Sequence, residues 1–560
     1  MVLKYLKIGK YELCAAAIIV FAIGLRMLLA ALGFPSTNSD EGTMGIMALH
    51  IAYHGEHPQF FYGQEYMGSL EAYLAAIFIH LSGGPSLFAL RLGVILLVML
   101  FFMSTYLLTS MLFSKQLALV TLALLSVGSI PYLTRQMIAT GGSSQTLLFG
   151  SLAFLLATWL ALTYRRGSPL QIKLWRLVGY FCWGLVVGLG LWSDMIVLPF
   201  LALTGLLLLL FCWRDLLWSW LGIVVGVFVG MLPSLSYSAL HHLNPLSVVL
   251  GLFQGTSSQA PHTLSGLLHG IHETLFVSIP TATGNPFCPV QELAFLSDNT
   301  PRTPACEAVR GIWGTGYVVL LGLALVLTIV TLWRLYSRFR IETEMSASEK
   351  RQLVIRYSAR LSILVAGALA IVAYAISSAP VSWPGFHSRY LIGLLIITPA
   401  VIEPLWSAAS HIKFQRPLER VRALISQGLL VLIAGVLLTG TLIAFSEVPS
   451  AQATNQQQAD LVNNLLRIGA THIYTDYWSC TNIAFASNER IICGVMNDNL
   501  QPSHNRDPRY FSIVSSDPHA AYVYPIHGQM AAVEHKVQQS NGHYQRYEFD
   551  GYIVYQPISN

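Results

Sequence analysis

The sequence predicts a polytopic α-helical membrane protein, a multi-span bundle of about eleven helices followed by a small α/β domain. Three observations carry that prediction. Only 11% of residues are Asp, Glu, Lys or Arg, where a soluble domain carries about a quarter. Apolar residues make up 54%, and the mean hydropathy is +0.57. Apolar runs of the ~20 residues needed to cross a bilayer recur along the chain. The net charge of +5 gathers beside these runs, which suits orientation in a bilayer and not binding to nucleic acid.

The predicted spans cover about residues 11–33, 85–113, 116–133, 145–164, 177–194, 196–213, 217–237, 311–334, 359–378, 390–410 and 425–445. The first is long enough to span and lacks a small-residue cleavage site, so it reads as a retained helix and not as a signal peptide. Four basic clusters set the orientation. Lys4, Lys7 and Lys10 precede the first span; Arg165, Arg166, Lys173 and Arg176 follow the fourth. Arg334, Arg338, Arg340, Lys350, Arg351 and Arg356 follow the eighth, and Lys413, Arg416, Arg420 and Arg422 follow the tenth. All four fall on one side if the N-terminus is cytoplasmic. The expected location is the plasma or inner membrane, multi-pass.

Three sizeable segments then lie outside: the first loop (34–84), a loop at 238–310 and a tail at 446–560. The membrane domain accordingly runs over 1–445. The piece "SLEAYLAAIFIHL", 69–81, is too short to cross and ends in Ser82-Gly83-Gly84-Pro85. It reads as an interfacial helix with Leu70, Tyr73, Leu74, Ile77, Phe78 and Leu81 on one stripe, and 42–54 as a similar helix. In the tail, "QQADLVNNLLRIGA" has helical spacing and "HIYTDYW" strand character. "YQRYEFDGYIVYQPI" reads as a hairpin turning at Asp550-Gly551. Cys14, Cys182 and Cys212 fall in spans. The other four fall outside, two per segment, which suits disulfides Cys288–Cys306 and Cys480–Cys493 in an oxidising compartment; four free thiols are the alternative.

The chemistry gathers in "GFPSTNSDEGTMGIMALH", 33–50, where Asp40 and Glu41 follow the first span. One reading is capping, since Asp and Asn favour N-caps and acids suit the first helical turn. The other is a general base, or a pair of acids sharing a divalent cation. Arg135, in "YLTRQMIATGG", and His387, Arg389 and Tyr390, in "WPGFHSRYLIGLL", lie on the same face. A cation there either snorkels to headgroups or fixes a phosphate, which the forked guanidinium suits. His50 and His54 are spaced to share a helix face, as are His269 and His272. With His57, His241, His242 and His262 they crowd the outer loops, and no HExxH or cysteine–histidine zinc pattern accompanies them. They read as interfacial polar residues. Tyr477 and Trp478 read as domain core or a sugar-stacking pair. Glu403, inside a span, should face protein.

These residues together resemble the GT-C glycosyltransferases, in the branch of protein O-mannosyltransferases and aminoarabinose transferases. The Asp-Glu pair after the first span, "GQEYMGSLEAYL" with Glu65 and Tyr66, the late "RY" and "GLGLWSDMIVLPF" with Asp194 carry the likeness over about 10–410. The resemblance implies a polyprenyl-phosphate-linked sugar donor and transfer on the extracytoplasmic face to an acceptor glycan, lipid or protein. It implies Asp40 as base with Glu41 beside it, and Arg389 on the donor phosphate with Arg135 and His387 as its helpers. Tyr66, Glu65, Tyr390 and Asp194 would contact the acceptor or support the site. The resemblance fixes no cofactor, and a divalent cation at Asp40 and Glu41 stays open. The chemistry is consistent: a lipid phosphate is already a good leaving group, so the site must stabilise departing charge, where one preorganised contact contributes ~3–4 kcal/mol. A base on the opposite side of the anomeric carbon predicts inversion. A secondary transporter or flippase of lipid-linked substrates is the main alternative, but its site would sit at the midplane. The absence of a Walker-type loop argues against an ATP-driven pump.

Overall fold

The computed structural model describes residues 9–165, 167, 169–242, 244, 263–288, 303–338, 346–410, 417–497, 499–526, 531–539 and 543–558. Lys4, Lys7, Arg166, Arg340, Lys413, Arg416, His262 and the loop residues 243, 245–262 and 289–302 lie outside the described residues. The chain forms two compact units: one of Met1–Leu25, Leu97–Gln136 and Gly142–Ala444, the other of Arg26–Leu96, Met137–Gly141 and Phe445–Asn560.

The first unit is helical. Over the described chain, eight helices are long and apolar enough to cross a membrane, or nine if Pro384–Leu395 and Thr398–Ser410, which meet at 61°, form one span. Two predicted spans, 196–213 and 217–237, fall within one run, Met195–His241, broken at Cys212 where φ −128° and ψ 15° are not helical. The span predicted at 116–133 is a 12-residue helix, Lys115–Ser126, and a short one, Ile130–Thr134. Val127 is extended between them, and Pro131 opens the second helix where its missing N–H costs nothing.

Helices Leu170–Ser193 and Leu198–His241 approach backbone to backbone. A Cβ at Gly184 would meet the Ile223 carbonyl oxygen at 2.4 Å, and one at Gly226 the Phe181 oxygen at 2.3 Å. With Gly188 and Gly230 these form two small-xxx-small faces, the pattern that lets helices pack closely without a hydrophobic drive between them. Cys288 and Cys306 are disulfide-bonded in this unit.

The second unit combines the first-loop helices with the tail. Its five-stranded sheet has the order β4-β3-β5-β7-β6, with β3 His472–Thr475, β4 Ile492–Val495, β5 Ala521–Pro525, β6 Tyr544–Phe549 and β7 Tyr552–Pro557. β3 runs parallel to β4 and β5, and β7 antiparallel to β5 and β6. Phe549 pairs with Tyr552, leaving Asp550 and Gly551 as a two-residue turn at φ 49° and 81°. Positive φ at both positions is what a type I′ hairpin demands, and the Asp-Gly pair supplies it. The strand expected over "HIYTDYW" stops at Thr475. Asp476 accepts from the N–H groups of Trp478 and Ser479 and so caps a new helix, Tyr477–Ala486. Cys480 and Cys493 tie that helix to β4. A smaller hairpin, β1 Phe60–Phe61 and β2 Gln64–Gly68, lies in the first loop.

The core of this unit joins distant sequence. Met44, Met47 and Leu49 of helix Ser39–His54 pack with Ala72, Ala75 and Ile79 of helix Leu70–Leu81, and with Leu465, Ile473, Ile483, Val523 and Val554 of the tail. Twelve consecutive residues of Ser39–His54, Ser39 to His50, are buried, so this helix is a core element. Helix Leu70–Leu81 buries its small face, Ala72, Ala75 and Ala76, and leaves Ile77 and Leu81 of the predicted stripe exposed.

Candidate functional site

Two groups of predicted residues assemble, one within each unit. The first begins at the N-terminus of helix Ser39–His54. Asn38 is the cap: its Oδ1 accepts the Glu41 N–H at 2.9 Å, with Asp40 and Glu41 in the first turn. Ser39 Oγ donates to the Tyr477 carbonyl at 2.6 Å, and Thr481 Oγ1 to the Ser39 carbonyl at 2.6 Å. The starts of two helices from opposite ends of the sequence are thereby bonded to each other. Their backbones touch as well, since a Cβ at Gly42 would sit 2.7 Å from the Thr481 carbonyl carbon.

The two acids then part company. Glu41 accepts from Arg91 Nε at 2.9 Å and Nη2 at 2.8 Å, both side chains fully buried. The Ala139 N–H adds a bond of 3.3 Å to the same carboxylate. Both Glu41 oxygens are therefore engaged in a forked, charge-assisted pair. Asp40 uses one oxygen: Oδ1 accepts from Arg506 Nη2 at 2.6 Å and from Tyr477 Oη at 2.8 Å. Oδ2 accepts from no described residue. Its side chain keeps 9% exposure. Burial and the adjacent Asp40 charge push the Tyr477 phenol well above its usual range, which keeps it a donor. Burial and Arg506 push the nearby His504 imidazole down, against the pull of Asp40. Glu65 and Tyr66 lie on β2, half-buried. Buried Glu71 accepts the Gly141 N–H at 2.9 Å.

The second group gathers around Phe386. Arg389 lies 4.7 Å and Arg135 5.7 Å from its ring centroid, and Arg135 Nη2 donates to the Phe386 carbonyl at 2.9 Å. Two guanidinium groups 254 residues apart in sequence thus share one aromatic ring. His387 donates Nδ1–H to the Ala379 carbonyl at 3.0 Å and stacks on Tyr390 at 5.3 Å. Asp194 caps a short turn by accepting the Ile196 N–H at 3.0 Å. It lies within electrostatic reach of Arg389, against Gly142, where a Cβ would meet Asp194 Oδ2 at 2.2 Å.

No protein-family model matches this chain, and neither does any curated protein. Solved structures do. Over 97% of this chain and 98% of theirs, it superposes on ArnT from Cupriavidus metallidurans bound to undecaprenyl phosphate, at 12% identity and TM-score 0.53. The apo form of that protein gives 11% identity, 97% of both chains and TM-score 0.56. The Archaeoglobus fulgidus oligosaccharyltransferase in complex with Zn and sulfate gives 12% identity and TM-score 0.50, over 97% of this chain and 72% of that one. The fold is the GT-C fold.

Sequence reasoning missed part of what the GT-C fold assembles here. Arg506 is 466 residues from Asp40 and sits in a polar loop with no motif around it. Arg91 lies inside an apolar helix, where a buried guanidinium signalled a partner without naming Glu41. Tyr477 was read in a strand, as domain core or a sugar-stacking ring; its place at a helix start and its bond to Asp40 were not read.

Proposed function

We propose that this protein is a membrane glycosyltransferase that moves a sugar from a polyprenyl-phosphate donor to an acceptor hydroxyl on the extracytoplasmic face, with inversion. The observation that carries this reading is the state of Asp40. Oδ1 is fixed by two donors while Oδ2 accepts from no described residue, so the carboxylate is oriented and still has a lone pair with which to take a proton. That is the geometry a general base requires. In this reading Asp40 Oδ2 receives the acceptor's proton as its oxygen attacks the anomeric carbon. The bond to the lipid phosphate then breaks on the opposite side.

Arg389 and Arg135 are proposed to hold the departing phosphate. Their shared contact with Phe386 preorganises two cations, and preorganised charge is what the transition state rewards. His387 and Tyr390, stacked beside them, position the pair, and Asp194 orients Arg389. Glu41 acts through its ion pair with Arg91, holding the turn that presents Asp40. Glu65 and Tyr66 are proposed as acceptor contacts.

The test is transfer of radiolabel from a panel of polyprenyl-phosphate sugars in reconstituted vesicles. Transfer by the wild type, lost in Arg389→Ala, supports an enzyme with a phosphate clamp. Uptake of label without transfer identifies a transporter instead and overturns the reading.

A further inference from the structure

His50, His54 and Glu489 stand together in the second unit, away from the Asp40 carboxylate. Ten residues of helix separate Asp40 from His50, about 15 Å at 1.5 Å per residue. His50 is 3% exposed, and both its ring nitrogens are engaged: Nδ1 lies 2.8 Å from Tyr62 Oη and Nε2 2.8 Å from Glu489 Oε1.

The Tyr62 O–H donates to Glu56 Oε2 at 2.8 Å, so its oxygen is left to accept from His50 Nδ1–H at 2.8 Å, the shorter of the Nδ1 contacts beside Arg509 Nη2 at 3.4 Å. Glu56 is in turn fixed by Arg509 at 2.7 Å. His50 Nε2 and Glu489 Oε1, 2.8 Å apart, hold a cation between them, either a proton or a metal ion.

The surroundings describe that cation. His54 lies one turn along the same helix, its ring stacked 5.3 Å from that of His50. One ligand atom each from His50, His54 and Glu489 fall within 4.8 Å of one another. Glu489 is held by Tyr510, whose O–H donates to Oε1 at 2.5 Å. Asn488 and Glu489 have φ of 52° and 58°, left-handed values uncommon for side chains other than glycine, and the Glu489 carboxylate stands beside the two histidines. Two imidazoles and a carboxylate, with an N–H of the buried imidazole anchored through tyrosine to a second carboxylate, form the donor set and outer shell of a zinc-type site with one open position.

We propose that His50, His54 and Glu489 bind a divalent transition metal of the zinc class. The metal replaces a proton between His50 Nε2 and Glu489 Oε1 and recruits His54 as third protein ligand. It staples residues 439 apart in sequence and fixes the first-loop helix that carries Asp40. The site does not depend on the transferase reading, because its test reads metal and stability, not transfer.

The experiment uses full-length, tag-free protein in detergent. Metal content by mass spectrometry, Zn(II) titration by calorimetry and melting temperature with and without chelator are compared for wild type, His54→Gln and His50→Gln. His54 is exposed, so its variant retains the fold even where His50→Gln does not. The expected result is close to one metal per wild-type chain and a melting temperature that falls on chelation. In His54→Gln, Zn(II) affinity should drop by at least the ~10–100-fold typical of losing even an outer-shell partner, and the chelation effect should vanish. A folded wild type that carries no metal, and whose melting temperature ignores both Zn(II) and chelator, overturns the proposal; a proton alone then bridges His50 and Glu489. Equal Zn(II) affinity in wild type and His54→Gln also overturns it.

Discussion

At Asp40 and Glu41, adjacent acids receive opposite treatment from one helix turn. Glu41 is buried against Arg91 with both oxygens bonded. Removing one partner of such a pair costs about 3–5 kcal/mol, because the other charge is left uncompensated. Glu41→Gln should therefore lower stability by that amount, read by thermal or chemical denaturation, and Glu41→Gln with Arg91→Met should recover part of it. Transfer measured at a temperature where Glu41→Gln is folded should be reduced far less than in an Asp40 variant. Tyr477→Phe deletes one donor to Asp40 and should cost about 0.5–1.5 kcal/mol, without the larger loss expected for Arg506→Met. Neither partner of Asp40 was legible in the sequence, because both lie in the tail and their pairing is a tertiary fact. The acids themselves were legible, since charge is scarce in this chain.

Local chemistry explains which elements the sequence revealed. The Asp550-Gly551 hairpin could be read directly, because a type I′ turn restricts its residues so sharply. Gly551 stands at φ 81° with Gln457 Nε2 2.7 Å from where a Cβ would stand, so Gly551→Ala should cost about 1–2 kcal/mol. The end of β3 could not be read, since "TDYW" satisfies a strand pattern until Asp476 is seen capping the next helix. Helix Ser39–His54 was expected at an interface, yet its polar N-terminal half is buried by bonds to helix Tyr477–Ala486. Gly42→Ala should break that approach and destabilise the tail and the first-loop helix together. On the sheet, His472 Nδ1 lies 2.6 Å from Asp517 Oδ2. The hydrogen bond from His472 holds the Asp517 carboxyl below its ordinary value of 3.8. A lowered folded value means its stabilisation is complete above the unfolded value and disappears as pH falls through the folded one. Melting temperatures of wild type and Asp517→Asn should differ at pH 6 and converge below pH 3.8.

Across the whole molecule, hydropathy was enough to identify a multi-span protein, and cysteine placement was enough to pair Cys288 with Cys306 and Cys480 with Cys493. Deleting the second disulfide, a short loop, should cost about 3 kcal/mol, measured as a reduction-dependent fall in melting temperature. Span counting resolved less: the division between 213 and 217 falls beside the break at Cys212, but the apolar run 116–133 gave no sign of the extended Val127 that divides it. The GT-C fold supplies the scaffold on which the chemical proposal stands, and the decisive residue in that proposal is Asp40. Its most direct test is the rate of sugar transfer from a polyprenyl-phosphate donor by Asp40→Asn, alone and paired with Arg506→Met to relieve the stranded charge. The account predicts a loss of about 10²–10⁴-fold, the usual contribution of a general base, in variants whose melting curves remain cooperative. Transfer near the wild-type rate in either folded variant would contradict it.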